Sequence, residues 1–218
     1  MPKVPTEKLL FFLTSIENTG NIPYMNNKKP LLVNFIGAPA SGKTTVAALT
    51  FGALKEASVP CELLTEVARK HIVGLKYVNR WSNPPWNGIL TDRDQNDIYI
   101  GELYQTERYV TVCSPETVII SDSSPINAII YNRRLSSDKI IINDWLAYCN
   151  PLFFYSTPVP NNLDTLDSNR VHSIEQIHNA DREIPGIIEE LGLEVITLNG
   201  NSNQRQLQCL HAIYDRLA

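Results

Sequence analysis

The eight residues Gly37-Ala38-Pro39-Ala40-Ser41-Gly42-Lys43-Thr44 have the spacing G-x-x-x-x-G-K-[ST], which cradles phosphate. Glycines at the first and sixth positions let the backbone approach an anion closely. The amides of the loop and the positive end of a following helix then face the phosphate oxygens. In that geometry Lys43 reaches the β- and γ-phosphates of a nucleotide, and the Thr44 hydroxyl becomes a Mg²⁺ ligand, with Thr45 completing the phosphate-side set. The context matters more than the motif. Leu31 to Ile36 is an apolar run that reads as a buried strand, and Val46, Leu49, Ala53, Leu54 and Ala57 recur at helical spacing after the loop. A strand, the loop and a helix in that order is what phosphate binding requires.

Two carboxylates and several arginines could supply the rest of a phosphoryl-transfer site. Glu66 follows an apolar segment beginning at Cys61, with Arg69 one helical turn later. Asp122 follows Val118-Ile119-Ile120, inside Ser121-Asp122-Ser123-Ser124-Pro125. A carboxylate at such a place can bind Mg²⁺ or accept a proton from an attacking hydroxyl. Each has a plainer reading: Asp122 as a turn or cap aspartate, and Glu66 as a helix-start glutamate paired with Arg69 or Lys70. A planar guanidinium can follow charge across a transferred phosphoryl group. Arg133 and Arg134 sit where a lid would, Arg170 follows Asp167-Ser168-Asn169, and Arg205 follows the Asn199-Gly200 turn. Trp81 and Trp86 could wall a planar ring, with Tyr99 and Tyr104 behind them. His71, His172, His178 and His211 show no metal-ligand spacing and read as structural or surface residues.

The elements that would hold these groups alternate. Strands are predicted at 31–36, 61–65, 117–121, 152–155 and 194–198. Thr91 or Asp92 should cap a long helix running through Ile98, Leu103 and Val110, and Pro125 with the segment 127–135 should lead into 138–148, which reads as helical. Ile184, Ile187, Ile188 and Leu191 mark a helix stopped by Gly192, and Leu207, Leu210, Ile213, Tyr214 and Leu217 mark a closing one. The pattern predicts a parallel α/β sheet of about five strands with helices on both faces. Its ligand would lie beyond the carboxyl ends of the strands, where the loop, Glu66 and Asp122 all fall. Residues 79–91 form an aromatic, proline-rich loop. Residues 1–30 form an N-terminal extension, with a helix over about 5–17 packed on the domain edge or, alternatively, offered to a partner. The domain proper is 31–218.

Composition narrows the class. The chain has 218 residues, 43% hydrophobic and 19% charged, which suits one globular domain. A formal net charge of -4 argues against broad binding along nucleic acid, although a local basic groove remains compatible with it. Cys61, Cys113, Cys149 and Cys209 form no C-x-x-C pair. They read as thiols in a reducing, cytoplasmic setting. No apolar run is long enough to span a bilayer. Leu9-Leu10-Phe11-Phe12-Leu13 is preceded by Glu7 and followed by no small-residue cleavage site, so a signal peptide is not expected.

Taken in order, the phosphate loop, Glu66-Val67-Ala68-Arg69, the helix containing Gln95, Ser121-Asp122-Ser123 and Asp167-Ser168-Asn169-Arg170 resemble a P-loop kinase family. This family includes the ribosylnicotinamide kinase domain of bacterial NAD-salvage proteins and its AAA-type ATPase relatives. The resemblance covers about residues 31–217. Two elements depart from the family pattern. Asp122-Ser123-Ser124 stands where the family has an Asp-Thr-Asp type element, and Ser168 replaces the glycine of D-G-x-R. The resemblance implies a P-loop NTPase three-layer sandwich with strand order 2-3-1-4-5. It further implies ATP- and Mg²⁺-dependent phosphorylation of a hydroxyl on a small nucleoside-like acceptor. Residues 37–45 and Arg170 would bind nucleotide and Thr44 and Asp122 the metal. Lys43, Glu66, Asp122, Arg133 and Arg134 would carry the chemistry. Two other functions fit the same elements: a kinase acting on a modified base such as 5-hydroxymethyluracil within DNA, and a non-kinase nucleotide-binding ATPase or GTPase that regulates a partner.

Overall fold

Alternation along the first strand organises the whole chain. In β1 (Leu31–Ile36), Leu32 and Ile36 face one apolar cluster while Val33 and Phe35 face another, the period-two pattern of a strand buried on both sides. The computed structural model describes residues 29–79, 90–132, 135–158 and 174–218. Around β1 stand β2 (Cys61–Leu64), β3 (Val118–Ser121), β4 (Leu152–Ser156) and β5 (Val195–Leu198). All pairings are parallel, in the order β2-β3-β1-β4-β5. This is the sheet of a P-loop NTPase sandwich, and every strand begins and ends within one residue of its predicted limits.

The helices are α1 (Lys43–Glu56), α2 (Val67–Val78), α3 (Asp92–Val112), α4 (Pro125–Asn132), α5 (Leu135–Cys149), α6 (Ile174–Glu190) and α7 (Ser202–Leu217). Apolar side chains of α1 and α7 cover one face of the sheet with Val33, Phe35, Ile120 and Phe154. Those of α3, α4, α5 and α6 cover the other with Leu32, Ile36, Ile119 and Phe153. Adjacent strands β1 and β3 therefore lead into helices on opposite faces. That divergence opens a crevice at their carboxyl ends, the place where open α/β sheets bind ligands.

Local signals account for the helix limits. Thr91 caps α3 through a reciprocal box with Asp94, and Gly192, at φ 62°, takes the left-handed turn after α6. Two expectations are corrected. The buried face of α1 is Val46, Ala47, Thr50 and Leu54, while Leu49 and Ala57 point outward; the row Val46, Thr50 and Leu54 advances in four-residue steps along one face, and Leu49 falls beside it. The segment after Pro125, expected as a lead-in, is the helix α4. Pro125 takes its first position, where a missing N–H costs nothing, and the Ser124 hydroxyl accepts the Ile126 N–H at 3.3 Å.

Cys61, Cys113, Cys149 and Cys209 are free, and Cys113 is only partly buried. Burial pushes Cys149 and Cys209 up to about 12, which keeps them as inert thiols. No described helix is long and apolar enough to cross a membrane.

Candidate active site

The phosphate loop joins β1 to α1 in the crevice. Gly42 precedes α1 at φ 82°, a backbone state that costs glycine little. At Gly37 the constraint is space: an added Cβ would collide with the Ser156 carbonyl oxygen and sit 2.8 Å from Ser41 Oγ. The first turn of α1 contains no acidic side chain, so its positive end is left for an anion. Thr44 and Thr45 are exposed at the mouth of the loop, while Ala38, Ala40 and Ser41 are buried beneath it. Lys43 Nζ folds back to donate to the carbonyl oxygens of Gly37 at 2.7 Å and Ala38 at 2.8 Å.

Two side chains far away in sequence clamp this loop. Asn127, near the start of α4, accepts the Gly37 N–H at 3.1 Å and donates to the Phe35 carbonyl at 3.0 Å. Arg205, on α7, is 4% exposed. It donates to the Ser41 carbonyl (2.9 Å), Ser156 Oγ (2.9 Å), the Thr157 carbonyl (3.1 Å) and Oγ1 (3.2 Å), and the Gly200 carbonyl (2.9 Å). Ser156 Oγ in turn donates to Ser41 at 2.7 Å. The Arg205 fork is thus spent on neutral oxygens behind the loop, which makes it a strut for the loop and not a phosphate contact. A lysine has no planar fork to span these acceptors. Arg205→Met is expected to lower stability by about 2–4 kcal/mol, because several buried acceptors lose a charged donor. Denaturant unfolding checks it: a midpoint unchanged from the parent would show that the clamp contributes nothing.

The two predicted carboxylates converge. Asp122, 4% exposed, continues from β3 with its N–H on the Leu64 carbonyl at 3.1 Å. Burial, and then the charge of Glu66, push its pKa up to about 6, while the Thr44 hydroxyl, Lys43 and Arg69 hold it down. Glu66 is the residue before α2, and its carboxylate lies 3.9 Å from Arg69 Nε. Lys43, Thr44, Glu66, Arg69 and Asp122 therefore form one neighbourhood. Among the described residues no group of three or more His, Cys, Asp or Glu could cage a metal. The donors present suit a different site: the Thr44 hydroxyl beside a buried carboxylate whose Oδ1 has no hydrogen-bond partner. Mg²⁺ is typically held by one or two such protein oxygens together with nucleotide phosphates and water.

A third carboxyl group was not singled out in the sequence. Glu102 on α3 is 1% exposed. Its Oε1 accepts the Val67 N–H at 3.0 Å, and its Oε2 is buried without a partner. Burial drives its pKa up to about 8. The charges of Glu66 and Asp122 add to that rise, and the Val67 N–H and Ser123 hydroxyl oppose it. Its signal in the sequence was a glutamate on the row Ile98, Thr106 and Val110, all buried.

Other predicted residues are dispersed. Tyr99 on α3 is buried in the core, whereas Tyr104 on the same helix is exposed. His71 is structural, joining α2 to α3 through Asp94 at 2.9 Å. Arg133, Arg134, Arg170, Trp81, Trp86, His172 and the extension before Lys29 lie outside the described residues.

A family model described as AAA domain matches residues 32–205. The chain belongs to this AAA domain family. Among curated proteins nothing matches. Among solved structures, the chain is similar to a deoxyadenosine kinase from M. mycoides with its products dCMP and a flexible dCDP bound. The TM-score is 0.56 at 9% identity, covering 85% of this chain and 100% of that one. At that identity the likeness is one of fold. It agrees with the AAA domain assignment in giving this family member the P-loop architecture.

Proposed function

We propose that the protein is an ATP- and Mg²⁺-dependent kinase that transfers the γ-phosphate to a hydroxyl of a small, nucleoside-like acceptor. The observation that carries this reading is the convergence of Glu66 and Asp122 on the Lys43–Thr44 end of the phosphate loop. A loop serving only to bind nucleotide needs one carboxylate near its metal; a second beside it supplies a base. The deoxyadenosine kinase likeness supports the same class. The sequence resemblance to ribosylnicotinamide kinase domains suggests a ribosyl hydroxyl as acceptor.

In this reading residues 37–45 bind the nucleotide phosphates, and Lys43 moves its donors from the Gly37 and Ala38 carbonyls to β- and γ-phosphate oxygens. Thr44 and Asp122 would hold Mg²⁺, which when bound would offset the negative charge of the nucleotide phosphates. Glu66 takes the acceptor's hydroxyl proton as that oxygen bonds to the γ-phosphorus. The bond from phosphorus to the β-bridging oxygen breaks, and ADP leaves. Arg69 stands beside both carboxylates, and Arg133, Arg134 and Arg170 would add positive charge over the phosphates. Most of the acceleration comes from positioning and charge stabilisation. The catalytic domain spans 31–218, in a cytoplasmic protein.

Phosphate transfer from labelled ATP to nucleosides, nucleotides and DNA containing modified bases, run across salt concentrations, tests the reading. A small acceptor should give turnover that depends weakly on salt. A base within DNA should give apparent affinity that falls roughly tenfold or more between about 50 and 200 mM salt, because backbone contacts release counterions. Lys139, a basic residue suited to such contacts, is already beside Glu190 at 3.9 Å. Salt-sensitive DNA binding required for turnover would replace the small acceptor with DNA. Nucleotide-dependent partner binding without any phosphorylated product would replace the kinase with a switch.

A further inference from the structure

Glu66 is the residue before the first turn of α2, yet its side chain makes no capping hydrogen bond there. The first N–H groups of a helix have no partner within the helix and are commonly satisfied by the capping side chain itself. Here another element supplies the acceptor. Glu102, from α3, takes the Val67 N–H at 3.0 Å, which spares the Glu66 carboxylate that task.

Two further contacts from the same helix act on the same three residues. Gly101 leaves room for the Val67 side chain: a Cβ there would lie 2.8 Å from Val67 Cγ1. Gln105 Nε2 donates to the Thr65 carbonyl at 3.3 Å. Residues 101, 102 and 105 are neighbours on one helix surface. The residue before Glu66 is therefore held through its carbonyl, and the residue after it through its N–H and its side chain, all by α3.

We infer that Gly101, Glu102 and Gln105 form a seat on α3 that fixes the backbone on both sides of Glu66 and so aims its carboxylate at the acceptor hydroxyl. They are positioning residues; none is required to touch substrate. The inference rests on the kinase reading, in which Glu66 is the base. The burial of Glu102 at 1% exposure makes the seat rigid, and its chemistry calls for an acceptor at Oε1 and no particular charge. Glutamine supplies that acceptor and leucine does not.

The test is a double-mutant cycle. Gly101→Ala and Glu102→Leu should each lower turnover about tenfold to a hundredfold, the scale of a displacement near 1 Å in a reacting group. The Kd for ATP should change less than about twofold, since the phosphate loop is untouched. Glu102→Gln should stay within about threefold of the parent. In a Glu66→Gln background the same substitutions should cost almost nothing more, because a misaimed base cannot be lost twice. Equal fold-losses in both backgrounds would show that α3 only stabilises the fold, and would overturn the inference. Gly101→Ala keeps the test open should Glu102→Leu fail to fold. Amide hydrogen exchange separates the inference from the reading beneath it. If Glu66→Gln alone leaves turnover intact, Glu66 is not the base and the aim of the seat is wrong. If exchange at Val67 is the same in Glu102→Leu as in the parent, the seat itself is wrong whatever Glu66 does.

Discussion

Lys43→Ala is expected to lower phosphoryl transfer by roughly 10²- to 10³-fold while leaving the fold in place. The ammonium is the charge that the loop can present to phosphate. Its present partners, the Gly37 and Ala38 carbonyls at 2.7 and 2.8 Å, are neutral oxygens that it can exchange for phosphate. Charge on the β- and γ-oxygens grows as the γ-phosphoryl group detaches, so the lysine binds the transition state better than the ground state. Removing one preorganised donor of this kind costs roughly 3–4 kcal/mol of barrier. The cost to stability should be only about 1 kcal/mol, the net worth of ordinary hydrogen bonds, because Asn127 and Arg205 continue to clamp the loop from behind. Turnover and thermal melting measured on the same sample check both halves. Near-normal turnover would remove the basis for the phosphate-loop reading, and a collapsed melting transition would show that Lys43 is a structural residue.

The contrast between Lys43 and its clamps shows what the sequence could reveal. Lys43 belongs to a contiguous motif whose chemistry is fixed by spacing, so its place was legible from residues 37–44 alone. The strands were legible for a similar reason: each is a short apolar run bounded by turn residues. Asn127 and Arg205 were not legible as clamps, because their loop partners are 90 and 164 positions away and no local pattern encodes such contacts. Arg205 looked like any arginine after a turn, and only burial distinguishes a strut from a phosphate ligand. The inward face of α1 was misread because Leu49 is more apolar than Thr50, yet Thr50 lies on the buried row with Val46 and Leu54 at four-residue steps. For α4, the Ser124-Pro125 pair was itself a helix-start signal. Glu102 stood in plain view as a charge on a buried row, the kind of local inconsistency that tends to mark a site.

The two neighbouring carboxylates, Asp122 beside Lys43 and Glu66 beside Arg69, should respond differently to substitution. Asp122 is the more buried, has the Thr44 hydroxyl beside it and retains an oxygen without a partner. Those features suit a metal-facing ligand. Glu66 lies farther out, with Arg69 at 3.9 Å and α3 holding the residues on either side. Those features suit a group that must meet an incoming hydroxyl. Glu66→Gln is therefore expected to lower turnover by roughly 10²- to 10⁴-fold, the range for loss of a general base, with ATP affinity nearly unchanged. Asp122→Asn keeps the shape but loses the charge, so it should raise the Mg²⁺ concentration needed for half-maximal rate and leave a substantial rate at saturating metal. Mg²⁺ titrations of turnover for both variants decide between the roles. A metal defect in Glu66→Gln without one in Asp122→Asn would exchange them. The seat on α3 would then be aiming a metal ligand, and the proton would leave the acceptor toward the deeper carboxylate.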